Sequence, residues 1–230
     1  MKNKKILIVA AHPDDEVLGC GGTVAKMAVG GAEIFCLFMG QGKSSRYGAG
    51  SRLKMKEDQN VLKKEARDAA KILGINKMFF EDFPDQKYDT VPFLDLVQSI
   101  EKIKNMIKPD IVFTHHGGDL NMDHELTLRA ALTATRPLPG ERVKAIYSFE
   151  IPSSTEWGLH SKEGLFFPNV FVDISDVFYK KIKAIMAYKS ENRGYPHPRS
   201  PESLEIIAKH WGTVAGVEKA EALILIRELK

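Results

Sequence analysis

Two short stretches of the chain concentrate side chains able to hold a cation and move a proton. The first is His12-Pro13-Asp14-Asp15-Glu16, directly behind the apolar run Ile6-Leu7-Ile8-Val9-Ala10-Ala11. His12 and Asp15 offer an imidazole and a carboxylate three residues apart on a tight turn, and both are ordinary zinc ligands. The second stretch, His115 to His124, holds three His and two Asp within ten residues, behind the apolar run Ile111-Val112-Phe113-Thr114. Each has a plainer reading: Asp14 and Asp15 cap a helix while His12 packs at a strand end, and a solvated loop tolerates a polar cluster. Two such clusters at two strand ends of one sheet argue instead for a shared metal site, its third ligand drawn from the second cluster. Three protein ligands with an open position make a catalytic zinc, whereas a structural zinc is closed by four, usually with Cys. Cys20 and Cys36 have no close partners for a site of that kind. A zinc-bound water has a pKa near ~7, and Asp14, beside Asp15 but pointing elsewhere, is the expected general base. Hydrolysis is the chemistry this set supports.

The elements that must position these groups follow from the hydrophobic pattern. Residues 6–11 read as a strand buried on both faces. A helix is predicted from about Asp15 to Val29, stopped by Gly30-Gly31, then a strand over Ala32–Met39 and a Gly- and Ser-rich loop over Gly40–Gly50. A charged amphipathic helix runs on to Leu73 and ends at Gly74, a strand covers Lys77–Phe83, and Phe93, Val97, Ile100, Ile103 and Ile107 recur at helical spacing. Residues 111–114 form the fourth strand. This alternation predicts a parallel sheet wrapped by helices, in which ligands gather outside the carboxyl ends of the strands. The remainder is less regular: strands over Val143–Ile151 and Asn169–Ile174 with Trp157 and His160 in the loop between, a helix over Asp176–Ser190, a loop over Asn192–Pro201 carrying three prolines, and a last helix from near Ser203.

Composition bounds the answer. The chain has 230 residues, 43% apolar and 27% charged, which describes a globular protein large enough to bury a core in one domain. Its 33 Lys+Arg against 30 Asp+Glu leave +3, too small an excess for a nucleic-acid binder. Two isolated cysteines give no disulfide framework, no apolar run approaches the ~18 residues of a membrane span, and the N-terminus lacks a signal-peptide pattern, so a cytoplasmic setting is expected. A dinucleotide site at Gly19, Gly21 and Gly22 fits poorly. The spacing is not G-x-G-x-x-G, no acidic residue closes the second strand, and Asp14 and Asp15 would repel a pyrophosphate.

The segment Ala11-His12-Pro13-Asp14-Asp15-Glu16 with Leu18-Gly19-Cys20-Gly21-Gly22 resembles the signature of the PIG-L/LmbE-like family of zinc-dependent N-acetylglucosaminyl deacetylases. Asp119-Leu120-Asn121-Met122-Asp123-His124 is similar to that family's second signature, and Glu65–Gly74, Tyr188-Lys189-Ser190 and Ala220-Glu221-Ala222 extend the likeness over nearly the whole chain. The resemblance implies a Rossmann-like three-layer α/β/α sandwich with a mostly parallel sheet. Residues 1–140 would form its core and 141–230 a C-terminal substrate-binding portion. It implies His12, Asp15 and His124 as ligands of one zinc per chain, Asp14 as general base and Asp123 as a carboxylate tuning the site (or simply a helix N-cap). The reaction implied is hydrolysis of an N-acetyl group from a glucosamine-type sugar or conjugate, in a homo-oligomer.

One position departs from the pattern: Asn121 stands where several relatives have a His credited with stabilising the oxyanion. An amide donates a hydrogen bond but carries no transferable proton. Asn121 with zinc, or His197 in Tyr195-Pro196-His197-Pro198-Arg199-Ser200, is expected to fill the role, with His115 and His116 as weaker candidates. Lys43, Arg46, Arg52, Lys54, Lys56, Lys63 and Lys64, or Arg193 and Arg199, could meet a phosphate carried on the sugar, although interspersed acids also suit a solvated face. Trp157 and Tyr195 could stack on a sugar ring. The other readings are a zinc hydrolase of a different acyl metabolite and a nonhydrolytic sugar- or nucleotide-binding protein.

Overall fold

The computed structural model describes residues 1–43, 45, 47, 51–158 and 164–230. Strands β1 (Lys5–Ala10), β2 (Glu33–Gly40), β3 (Lys77–Phe83), β4 (Ile111–His115), β5 (Ala145–Phe149), β6 (Val170–Asp173) and β7 (Ala220–Glu228) form one sheet in the order β3-β2-β1-β4-β5-β7-β6. The first five pair in parallel, and β7 runs antiparallel to both β5 and β6. The sheet is therefore mostly parallel, as expected. The last strand is a correction: the sequence pattern assigns no strand to Ala220–Glu228, yet it sits inside the sheet, bonded on both sides.

Alternation along β1 shows how the layers form. Ile6, Ile8 and Ala10 face a cluster built with Val17 and Val24 of α1 (Asp15–Val29), Leu62 and Ala66 of α2 (Arg52–Leu73) and Ile185 of α5 (Phe178–Ala187). Leu7, Val9 and Ala11 face the other way, onto Leu96, Ile100 and Ile103 of α3 (Phe93–Ile107) and Ala130 and Ala131 of α4 (Met122–Ala134). Every one of these side chains, those of β1 and of Ala11 just after it, is fully buried, each large one contributing about 1.5–3 kcal/mol. The helix α6 (Pro201–Ala215) adds Leu204 and Ala208 to the first cluster. Three layers result.

Helix α1 is broken at Cys20, whose φ of −141° is not helical. The break frees the N–H groups of Gly22 and Thr23, and both donate to the Glu221 carboxylate on β7, at 2.8 and 2.6 Å. Lys181 on α5 neutralises that buried carboxylate at 2.6 Å and donates to the carbonyl of Leu18. The glycines here serve close packing: a Cβ on Gly19 would lie 2.2 Å from the Phe149 ring, and one on Gly22 2.8 Å from Ile174. The glycine-rich stretch thus lets α1 settle against β5 and the segment after β6.

Strand order reverses direction between β1 and β4, which opens a crevice at their carboxyl ends. The turn after β1 and the loop after β4 both empty into it.

Candidate metal centre

The turn His12-Pro13-Asp14 joins β1 to α1 and places Asp14 at φ 107°, ψ −26°, a left-handed conformation rare for a residue with a Cβ. Local bonds hold it there. The His12 N–H donates to Asp15 Oδ2 at 2.8 Å, the Asp14 N–H to Glu16 Oε2 at 3.1 Å, and the Asp14 carbonyl accepts from Val17 and Leu18. Glu16 is itself fully buried and accepts the Tyr188 hydroxyl at 2.6 Å. Burial lifts the Glu16 carboxyl to about 8.

Across the crevice, the loop after β4 is capped onto α4 by Asn121, whose side-chain oxygen accepts the Asp123 N–H at 3.0 Å. His124 follows in the first turn. Its Nε2 lies 3.5 Å from Asp15 Oδ2, and His12 Nδ1 lies 3.7 Å from the same oxygen. One atom from each of His12, Asp15 and His124 falls within 4.8 Å of the others. Tetrahedral zinc with ligands at ~2.0–2.1 Å needs donors roughly 3.4 Å apart, so the trio matches in donor type and spacing. The far nitrogens match as well. His12 Nε2 lies 3.0 Å from Asp123 and 3.1 Å from Asp85, while His124 Nδ1 lies 3.0 Å from Asp119. Carboxylates behind each imidazole fix the ring and its proton as metal-binding His requires.

The electrostatics point the same way. Burial alone would lower the His12 pKa, but the bonds to Asp123 and Asp85 and the charge of Asp15 outweigh it and raise it to about 10. The carboxylates demand a positive charge at this point, which a divalent cation would supply in place of the proton. Asp14 is raised by burial to about 7; Arg199 opposes the rise, and Asp15 and Glu191 add to it. Its Oδ2 accepts from Arg199 Nη1 at 3.0 Å.

These groups line a cavity of about 200 Å³ together with Lys43, Asp85, Gln86, Asn121 and Glu191. The structure thus brings His12, Asp14, Asp15, Asn121 and His124 to one cavity, with Asp123 buried behind His12 and also accepting the N–H groups of Gln86 and Tyr88. Asp123 is not the helix cap, since Asn121 is. His197 lines a neighbouring cavity instead, with Ser153, Glu191, Arg193 and Arg199. His115 is fully buried in β4, accepts the Ala11 N–H at 2.8 Å and stacks on His124 at 4.1 Å. Burial and the neighbouring His124 and His12 push it well below its usual value, which keeps it neutral. His116 faces the Gly164 carbonyl at 3.1 Å. Lys43 is buried against Ser190 and Glu191, while Arg46 and His160 lie outside the described residues. Trp157 and Tyr195 are exposed.

Sequence reasoning missed Asp85, Glu191 and the role of Arg199. Asp85 carried one signal, its place just after β3 at the same sheet edge, in Phe83-Pro84-Asp85. Glu191 and Arg199 reach the cavity from a long loop that no pattern ties to it.

Among the described residues no helix is long and apolar enough to cross a membrane. Known proteins agree with the fold. The chain is 31% identical over 195 residues to an uncharacterized deacetylase, YaiS, of Escherichia coli, covering 82% of this chain and 92% of that protein. It is 28% identical over 231 residues to the diacetylchitobiose deacetylase of Thermococcus kodakarensis, covering 96% and 82%. The crystal structure of GalB, a 4-carboxy-2-hydroxymuconate hydratase of Pseudomonas putida, superposes with a TM-score of 0.74 at 26% identity, covering 99% and 98%. The family described as GlcNAc-PI de-N-acetylase, PIG-L, matches residues 7–135, more than half of the chain, and the protein belongs to that family.

Proposed function

We propose that the chain is a zinc-dependent amidohydrolase that removes the N-acetyl group from an N-acetylglucosamine-type sugar or its conjugate, releasing acetate and a free amine. The observation that carries this reading is the position of Asp14: it shares the cavity with the His12–Asp15–His124 trio, stands outside that trio, and is tuned by burial to about 7. Zinc held by His12, Asp15 and His124 would supply a Lewis acid that polarises an amide carbonyl and acidifies a coordinated water. Asp14 Oδ is the atom placed to take a proton from the attacking water and return it to the departing nitrogen. Arg199 keeps that carboxylate aimed into the cavity. The Asn121 carbonyl oxygen is committed to the helix, which leaves its amide N–H groups for the cavity and the carbonyl oxygen of the substrate. Asp123 and Asp119 orient the two imidazoles.

The lining supports an amide substrate over the polycarboxylate of a hydratase. Asp14, Asp15, Asp85 and Glu191 face Lys43 and Arg199, each of which is already paired. Such a wall suits a neutral acetamido group and the ammonium it yields, and repels a carboxylate placed beside the metal. The relative named diacetylchitobiose deacetylase supports the sugar class. Residues 141–230 lend Glu191 and Arg199 to the cavity, in keeping with a substrate-binding portion. The buried, unpaired thiols of Cys20 and Cys36 suit a reducing cytoplasm.

The test is acetate release from a panel of N-acetylated amino sugars and non-sugar amides, beside metal analysis. We expect about one zinc per chain in the parent, lost in His12→Ala and His124→Ala. Asp14→Asn should keep the zinc and lose ~10²-fold or more in rate. Hydration of an unsaturated polycarboxylate with no acetate release from any amide would overturn the reading, as would full activity in Asp14→Asn.

A further inference from the structure

A second cavity of about 150 Å³ adjoins the metal cavity and shares Glu191 and Arg199 with it; Ser153, Arg193 and His197 complete its lining. The two cavities differ in character. The first is rich in carboxylates, whereas the second is rich in donors. Arg199 is fixed there by its Nε, which donates to Ser153 Oγ at 2.7 Å and to the Pro152 carbonyl at 3.2 Å, and by Nη1 on Asp14. Its Nη2 makes no hydrogen bond among the described residues. Ser153 Oγ accepts from Arg199, so its own proton is left to donate. The Arg199 N–H donates to His197 Nδ1 at 3.1 Å, so a neutral ring carries its proton on Nε2. Burial and the charges of Arg199 and Arg193 lower the His197 pKa, favouring that neutral form. Arg193 is half exposed, with Nη1 on the Asn192 carbonyl and Nη2 3.5 Å from Glu191. Glu191, the single carboxylate of this lining, is engaged by Lys43 at 3.2 Å and by Arg193.

A cavity with two guanidiniums, an imidazole N–H and a hydroxyl, and with its one carboxylate occupied, matches a ligand group made of acceptors. We infer that this second cavity binds an anionic group, a carboxylate or a phosphate, carried on the amino sugar at a distance from its acetamide. The inference rests on the amino-sugar reading above and adds the substrate class: an acetamido sugar whose aglycone is charged. Arg199 joins the two ends, one nitrogen on the base and another facing the aglycone. The carboxylate-rich first cavity rejects the anionic end, so the pair of cavities also fixes which way round the substrate enters.

The test uses the full chain with Asp14→Asn, loaded with zinc, so that binding is read without turnover. Three probes are titrated by calorimetry: methyl N-acetylglucosaminide, the N-acetylglucosamine glycoside of glycolic acid, and N-acetylglucosamine 1-phosphate. At least one charged probe should bind tenfold or more tighter than the neutral one, by a margin that shrinks as salt is raised. Adding Arg193→Gln, at an exposed position, should cut the margin to about threefold or less. The better of the two charged probes identifies carboxylate or phosphate. Equal affinities for all three probes, including no binding by any, overturn the inference, as does a margin unmoved by Arg193→Gln. The parent reading fails by a different sign: anionic preference intact, yet no acetate released by the chain with Asp14 in place.

Discussion

At Asp14 the chain trades backbone comfort for chemistry. With φ at 107°, its β-carbon crowds the backbone at a cost of about 1–2 kcal/mol, which glycine escapes. The bond that the Asp14 N–H donates to Glu16 and those its carbonyl accepts from Val17 and Leu18 hold the turn against that cost. Asp14→Gly and Asp14→Ala both lose the base and the Arg199 ion pair, so their difference isolates the strain. Asp14→Gly should be the more stable by about 1 kcal/mol in urea unfolding, while both are inactive. Equal stability would show that the turn carries no such strain. The same residue explains why much of the site was legible in the sequence. His12, Asp14, Asp15 and His124 stand in two contiguous stretches at strand ends, where the rules for parallel sheets place ligands, and all four line one cavity. Asp85, Glu191 and Arg199 line it too, but each arrives alone from a different loop, and only the folded chain brings them there. His197, an alternative to Asn121 for the oxyanion from the sequence, lines the neighbouring cavity that shares Glu191 and Arg199 with the first.

Helix α1 and its supports show what the pattern of elements conveys and what it hides. Five parallel strands and the helices between them were readable because long apolar runs alternate with 3.6-residue periodicity. Strand β7 was not, since Ala220-Glu221-Ala222-Leu223-Ile224-Leu225-Ile226-Arg227-Glu228 mixes Ala, Glu and Leu, good helix formers, with only two β-branched residues. Pairing with β5 on one side and β6 on the other decides its conformation. That placement gives Glu221 its task, as cap to the second half of α1 with Lys181 as counter-charge. Neither residue has a sequence signal for the other. Both are nearly inaccessible, so removing one partner strands a buried charge. Lys181→Met should destabilise the fold by about 3–5 kcal/mol, and the double variant Lys181→Met with Glu221→Gln should recover part of that loss. Denaturant midpoints for the two singles and the double test this. Additive losses would mean that the pair is not coupled and that α1 does not depend on it.

For the whole molecule, the same buried groups set how stability answers to pH and to metal. Burial raises Asp14 to about 7, Glu16 to about 8 and Glu150 to about 7, and bonds from Asp123 and Asp85 with the charge of Asp15 overcome burial to raise His12 to about 10. Each of these groups therefore binds its proton more tightly in the folded chain than in the unfolded one. Stability from such groups is fully present below their unfolded values and is lost as pH rises through the folded ones. Asp85, lowered to about 2, acts in the opposite sense only in acid. His115 and His197, both lowered, have completed their effect once pH passes the ordinary imidazole value near 6.5. Between pH 7 and 9 the signs agree, and the chelated protein should lose stability steadily, with Glu16 and His12 still releasing protons. Zinc changes the slope, because a ligated His12 gives its proton up to the metal. Below a pKa of about 10, each unit of pH strengthens apparent zinc affinity by up to tenfold, about 1.4 kcal/mol. In excess zinc that adds roughly 3–6 °C to the melting temperature per pH unit for a chain of this size. Thermal unfolding at pH 7, 8 and 9, with chelator and with excess zinc, should therefore show a zinc-induced increment that widens as pH rises, and His12→Ala should abolish the widening. An increment independent of pH would mean that His12 holds no proton for the metal to displace, and the cation demand inferred from its three carboxylate neighbours would have to be met in another way.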